Sequence, residues 1–470
     1  MNAIPYNNPT HPTPPGSNYK YIVYFICLVG ALGGLLFGLD QGFIANALDT
    51  IKSTYHLGTS GAEKYSAILA TGGVLGALVS GLFARFLGRK KSLVLAGLIF
   101  TVASLASASL PSFIWLNIFR FCLGFAVGIA SFITPLYLSE TAPASIRGSM
   151  GTLFQLMITI GIFLIAATNY YIAHTYLDPR TALPLMFMVI AIFALLMFFG
   201  SLILPESPRW LMLKGKKDKA LKVLRRVFNT QSEIDLEIKE IERVLAEEGG
   251  SRSVKPLLKG YFFKILLIGV VLQMFQQLVG INVMIYYAPT IFGFAGMKGL
   301  VAMLVVPTVN MLFTFPAIFL VEKWGRKKLL YVGAVIMLIS MLAAGLAFQS
   351  IGNHMDPATI GHMPKTVLLL AIIVYIFGFA FSWGPVAWLV CSEIFPLKGR
   401  EFGITVTTMV NWTFAGIVMR YALSFMEEFG RPSLFYLFCG FCILAILFVA
   451  KFVPETKGVT LEELEERLKR

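Results

Sequence analysis

Two opposite charges stand alone inside long apolar runs. Asp40 follows Leu36-Phe37-Gly38-Leu39 with no basic neighbour, and Arg120 sits between Phe119 and Phe121. An aspartate at the centre of a membrane-spanning helix costs about 2.5–3.5 kcal/mol on insertion scales, so each of these groups calls for a partner. Two chemistries fit a pair of this kind. One is a structural ion pair that fixes helix packing. The other is a protonatable switch, in which ionised Asp40 holds Arg120 and protonated Asp40 lets it go. Six amides, Gln155, Gln276, Gln277, Asn282, Asn310 and Asn411, also lie in apolar runs. An unpaired amide in hydrocarbon is costly, so these either tie helices together or face a polar solute.

A further set of charges is written twice, roughly 240–255 residues apart. Gly88-Arg89-Lys90-Lys91 recurs as Gly325-Arg326-Lys327-Lys328. Ser139-Glu140, with Arg147 seven residues after the glutamate, recurs as Ser392-Glu393 with Arg400 seven after. Pro205-Glu206-Ser207 recurs as Pro454-Glu455-Thr456. Each phrase closes an apolar run, and the order is the same in both copies. Such an internal repeat of membrane segments points to a transporter with its substrate between two halves.

The elements that must position these groups are membrane helices. The chain has 470 residues, of which 57% are hydrophobic and only 14% charged, with a mean hydropathy of +0.76. Soluble domains carry about 25% charged residues, so the solvent expected here is a lipid bilayer. Twelve apolar segments are long enough to span it, at about 21–48, 64–86, 92–110, 113–138, 149–174, 181–204, 261–292, 299–321, 328–349, 366–391, 402–426 and 432–453. Gly280 beside Asn282, with Pro289 ahead, predicts a break in the seventh. The net charge of +14 gathers at segment ends, which is the mark of orientation and not of nucleic-acid binding. By the positive-inside rule the loops holding Arg89 and Arg326 are cytoplasmic, and so are both termini. The layout expected is a tail over 1–20, a six-helix bundle over 21–204, a cytoplasmic helical linker over 205–260, a second bundle over 261–453 and a tail over 454–470. Apolar residues at three- and four-residue steps predict amphipathic helices around Leu221–Val227 and Ile234–Leu245, and again in the tail at 461–468. The first seventeen residues lack a basic leader region and read as a cytoplasmic tail, not a signal peptide.

Seven phrases, in order, carry a family likeness: Leu36-Phe37-Gly38-Leu39-Asp40, the Glu140/Arg147 loop, Pro205-Glu206-Ser207-Pro208-Arg209-Trp210-Leu211, Gln276-Gln277-Leu278-Val279-Gly280-Ile281-Asn282, Tyr286-Tyr287-Ala288-Pro289, Ser382-Trp383-Gly384-Pro385-Val386-Ala387-Trp388, and Pro454-Glu455-Thr456-Lys457-Gly458. Over about 20–460 the chain resembles the sugar porter family of the major facilitator superfamily. The resemblance implies an all-α membrane protein with the major facilitator fold, twelve helices in two pseudo-symmetric bundles, alternating access and a monosaccharide cargo. It departs from the family pattern where Arg85-Phe86-Leu87-Gly88-Arg89 lacks an acid that the second copy keeps as Glu322, where Val279 replaces a hydroxyl residue, and at Arg420, which matches no family position.

The resemblance also assigns roles. Proton-coupled members resemble this chain in carrying Asp at position 40, whereas passive ones tend to carry Asn, so Asp40 and Arg120 are expected to couple a proton. The six amides fall at family sugar positions, and an amide both donates and accepts as a sugar hydroxyl does. Phe37, Tyr286, Phe379, Trp383 and Trp388 join them as sugar-binding residues, with aromatic faces for the C–H face of the ring. Arg89, Glu140, Arg147, Glu206, Arg326, Glu393, Arg400 and Glu455 are expected to form a cytoplasmic gate, with the glutamates and arginines of the two halves pairing across it; plain positive-inside decoration would explain the basic residues but not the repeated glutamates. No Gly-rich Lys-Ser/Thr loop and no Asp-rich metal cluster stands in the sequence, which argues against ATP-driven pumping or an enzyme reaction. The expected protein is a monomeric, cofactor-free, proton-coupled importer of a hexose, glucose first, in a bacterial plasma membrane, with no nucleic-acid partner. A passive hexose uniporter and a proton-coupled porter for a pentose or polyol are the alternatives.

Overall fold

The computed structural model describes residues 19–142, 144–228, 230–248, 260–352, 360–396 and 399–457. The expected tail helix at 461–468 lies outside them. Eighteen helices and no strand are found among the described residues. The first half holds α1 (Tyr19–Tyr55), α2 (Thr59–Phe86), α3 (Arg89–Ala108), α4 (Phe113–Thr141), α5 (Ala144–Thr175) and α6 (Pro179–Ile203). Three short helices follow: α7 (Pro208–Leu213), α8 (Lys217–Val227) and α9 (Gln231–Glu248). The second half holds α10 (Tyr261–Leu278), α11 (Ile281–Tyr286), α12 (Ala288–Phe294), α13 (Leu300–Trp324), α14 (Arg326–Ile351), α15 (His362–Ala380), α16 (Trp383–Ile394), α17 (Arg400–Phe429) and α18 (Arg431–Phe452). Among the described residues, twelve stretches are long and apolar enough to cross a membrane.

The helices form two six-span bundles. In the first, α1 packs on α5 and α6, α2 on α4, and α3 on α4 and α6. In the second, α14 packs on α15 and α18, and α10 on α17 and α16. The bundles meet where α2 lies along α17 and α5 along α13. Close approach inside the first bundle depends on glycine. A side chain at Gly38 would strike the Ile158 carbonyl, and one at Gly161 the Leu35 carbonyl. The α1 and α5 backbones therefore touch.

The structure differs from the segment reading in three places. The first helix runs a full turn or more past 48, to Tyr55. The third begins at Arg89, because its basic first turn is capped by a carboxylate from a distant loop. The seventh span breaks as expected, but into three pieces, and the tenth breaks too, between Ala380 and Trp383. At the first break Gly280 is left-handed with φ +101°, and any side chain there would enter the Phe438 ring. The Val279 carbonyl freed by that break accepts the Tyr375 hydroxyl at 3.0 Å. In the linker, α8 buries Ala220, Val223, Leu224 and Val227 and packs against α1 and α7, and α9 buries Ile234 and Ile241.

Candidate functional site

A cavity of about 60 Å³ is lined by both bundles, in the second by residues on either side of the breaks in the seventh and tenth spans. It is lined from α1 by Phe37 and Gln41, from α5 by Gln155, Ile158 and Ile162, and from the second bundle by Gln276, Gln277, Asn282, Asn310, Phe379, Trp388 and Asn411 with several apolar neighbours. All six amides picked from sequence are therefore brought to one place. Several of them form a chain of bonds. Asn282 donates to Gln277 Oε1 at 2.5 Å, and Gln277 donates to Asn411 Oδ1 at 3.1 Å. Asn411 donates to Gln276 Oε1 at 2.5 Å and to Gln273 Oε1 at 2.6 Å. Gln276 in turn donates to the Trp383 and Gly384 carbonyls at 3.0 and 3.2 Å, closing the tenth-span break.

Two of the expected aromatics stand elsewhere. Trp383 is fully buried and donates its indole N–H to the Leu330 carbonyl at 2.8 Å, which anchors α16 to α14. Tyr286, the last residue of α11, is buried and does not line the cavity. Trp412 supplies the aromatic wall instead, with its ring 5.2 Å from that of Phe37. Sequence reasoning also misses Gln41 and Gln273. Both are amides in apolar runs, the same signal that picks out Gln155.

Asp40 and Arg120 do meet, although 80 positions separate them. Both side chains are completely buried, with Arg120 Nη1 at 2.5 Å from Asp40 Oδ1, and Arg120 Nη2 reaches the Asp40 carbonyl at 3.3 Å. The Phe43 and Tyr65 rings lie 5.9 and 5.6 Å from the guanidinium. Asp40 Oδ2 and Arg120 Nε have no partner among the described residues. A buried ion pair is secure only when its remaining polar atoms are satisfied, and this one is not. One residue along, Gln41 donates to Asn282 Oδ1 at 2.8 Å, the link between the ion-paired helix and the amide chain of the second bundle.

The duplicated charges build two copies of one network, at the end of the molecule that carries the basic loops. Arg89 forks onto Glu140 at 2.7 and 2.8 Å, and Arg326 forks onto Glu393 at 2.8 and 3.2 Å. Gly88 and Gly325 give α3 and α14 no capping side chain. Glu206 and Glu455 take that place, accepting the Arg89 and Lys90 amides and the Arg326 and Lys327 amides at 2.8–3.1 Å. A carboxylate at a helix N-terminus satisfies orphan N–H groups and complements the dipole. Ser207 donates to Glu140 and Thr456 to Glu393, at 2.5 and 2.6 Å.

Within the described residues the observed partners differ from the expected ones. Glu140 and Glu393 each pair with the arginine of their own bundle, because that arginine opens a helix which the same bundle caps. A connection across bundles at this end runs from Arg89 to Glu401, at 3.8 Å and with Glu401 well exposed. Arg400 instead turns back to the Phe395 carbonyl at 3.4 Å. The Arg147 and Glu322 side chains lie outside the described residues. Among the described residues no group of three or more His, Cys, Asp or Glu is placed to hold a metal.

The family model for sugar (and other) transporters matches residues 26–468. The chain belongs to the sugar porter family of the major facilitator superfamily. As a sugar porter it is a multi-pass membrane protein. It is similar to the galactose-proton symporter of Escherichia coli (strain K12), with 39% identity over 458 residues, covering 96% of each chain. The D-xylose transporter of Levilactobacillus brevis is 38% identical over 455 residues, covering 95% of each. A solved proton:xylose symporter bound to 6-bromo-6-deoxy-D-glucose superposes with a TM-score of 0.80 at 31% identity, covering 96% of this chain and 100% of that one.

Proposed function

We propose that this porter imports a monosaccharide together with a proton by alternating access, with a hexose such as glucose as its first substrate. The observation that carries the reading is the buried Asp40–Arg120 pair, joined through Gln41 to an amide-lined central cavity. Amides match sugar hydroxyls, which both donate and accept, and Phe37, Trp388 and Trp412 give the ring an apolar face. The names of the similar porters, a galactose-proton symporter and a D-xylose transporter, agree with a pyranose cargo. The pair works as the proton site. With Asp40 ionised, Arg120 is held and α1 is locked to α4. With a proton on Oδ2, the attraction falls and α1 moves with respect to α4, drawing on Asn282 through Gln41. The duplicated networks then form the cytoplasmic face, and both termini lie on that side, as the basic loops require.

Uptake of labelled hexoses, pentoses and polyols into proteoliposomes tests this reading. An inward-directed proton gradient is expected to concentrate one aldose above its external level. Accumulation that ignores the gradient would make the protein a uniporter, and a pentose taken up in preference to every hexose would move the substrate to that class. Gln41→Leu keeps the volume and removes the Asn282 bond. It is expected to lower gradient-driven accumulation roughly two- to tenfold, in line with about 0.5–1.5 kcal/mol for one hydrogen bond. Counterflow at equal pH should continue. Unchanged accumulation would reduce the bond to a packing contact.

A further inference from the structure

Arg420 is a charged residue that the family resemblance leaves without a role. It lies in the half of α17 away from the basic loops, with Nη1 3.4 Å from Glu63 Oε2 on α2. Glu63 is fully buried, and one partly exposed arginine does not account for its surroundings. Its Oε1 accepts the backbone amides of Leu423 and Ser424 at 2.7 and 2.9 Å, and its Oε2 accepts the Ser424 hydroxyl as well as Arg420. A carboxylate has about four acceptor sites, and four donors converge here. All four come from the other bundle.

The two amides belong to a helix interior, where an N–H ordinarily bonds the carbonyl four residues back. For Leu423 that carbonyl is Met419, and it accepts the Tyr287 hydroxyl at 2.8 Å. Both ends of one helical hydrogen bond thus carry a side chain from elsewhere: Glu63 from the first bundle and Tyr287 from between α11 and α12. Side chains that enter the backbone ladder are an identified cause of helix kinks. One turn nearer the helix ends, Thr59 donates to Glu427 at 2.6 Å and ties the same two helices again. At the basic end the cross-bundle pair Arg89–Glu401 is looser, at 3.8 Å and partly in solvent.

We propose that Glu63 is a positioning residue of the transport cycle, a clamp that closes the end of the porter opposite the basic loops and yields when that end opens. The segment from Met419 to Ser424 is the hinge of α17 that it holds. When Glu63 leaves, the Leu423 amide is left to its own helix and α2 separates from α17. Charge-assisted bonds are about twice as strong as neutral ones, so the carboxylate and not merely its shape sets the clamp. Arg420 supplies a countercharge to that carboxylate and adds less itself, being partly exposed.

Double electron–electron resonance on the full-length porter in lipid nanodiscs tests the clamp. Spin labels at Ile114→Cys and Met363→Cys, both exposed, report the clamp end. Labels at Lys91→Cys and Lys323→Cys, also exposed, report the basic end. Glu63→Gln is expected to raise the population with the clamp end apart on the order of tenfold, while the basic-end distances stay or shorten. Arg420→Met leaves the carboxylate and its amide bonds, and should give a smaller shift in the same direction; it carries the test if Glu63→Gln fails to fold. Unchanged distances at the clamp end would overturn the proposal. So would lengthening at both ends together, which marks loosened packing and not a rocking clamp.

Discussion

Asp40→Asn is expected to abolish accumulation of sugar against a gradient while leaving counterflow measurable. The amide copies the shape of the protonated acid but can neither lose nor gain a proton. Arg120 is completely buried, and in the variant it keeps only neutral partners, the oxygen of the introduced amide among them. The pair then has one state where the native protein has two. Exchange of labelled for unlabelled sugar needs only the loaded carrier to turn over, so it survives. Net concentration needs the empty carrier to return without its proton, so it does not. Measured in proteoliposomes, native uptake should rise as the external pH is lowered below the internal one. The variant's equilibrium level should be the same with and without that gradient. A variant that still concentrates sugar under the gradient would remove Asp40 from the coupling site.

Gln277→Ala is expected to weaken sugar binding by about 1–3 kcal/mol, which is roughly five- to 150-fold in the dissociation constant. Gln277 stands in the middle of the amide chain, accepting from Asn282 and donating to Asn411. Truncation leaves those two groups short of partners in a buried site, and leaves a sugar hydroxyl without its match. The asymmetry matters: an unmade bond in a desolvated cavity costs more than an equivalent bond contributes at a surface. Isothermal titration or equilibrium binding with the preferred sugar reads the effect directly. An unchanged constant in a folded variant would mean that Gln277 only ties helix pieces together.

How far a residue's role is legible in sequence depends on the kind of group it carries. An amide or a charge inside an apolar run is conspicuous, because hydrocarbon penalises it wherever it sits. For that reason Asp40, Arg120 and six amides stand out by type alone; the two charges meet each other, and the six amides line one cavity. Aromatic residues give no such signal, since a tryptophan in a membrane helix is comfortable in many places. Trp383 and Trp412 show this: the first anchors α16 on α14, and the second faces Phe37 across the cavity. Gln41 and Gln273 satisfy the same amide criterion, and only their contacts reveal their place.

The chain by itself determined that it crosses a membrane twelve times, that its halves repeat, and which polar groups need partners. Those properties follow from local composition, which sets the transfer cost of each segment independently of its neighbours. Only the tertiary structure decided who pairs with whom. Glu140 and Glu393 were legible as a repeated pair, yet their choice of Arg89 and Arg326 depends on where α3 and α14 begin and on a carboxylate arriving from a distant loop to cap them. Glu63 and Arg420 could not be joined from sequence at all, because 357 positions separate them and neither belongs to a repeat. Partner choice is a matter of distance and direction across packed helices, and the hydropathy of a single helix carries neither.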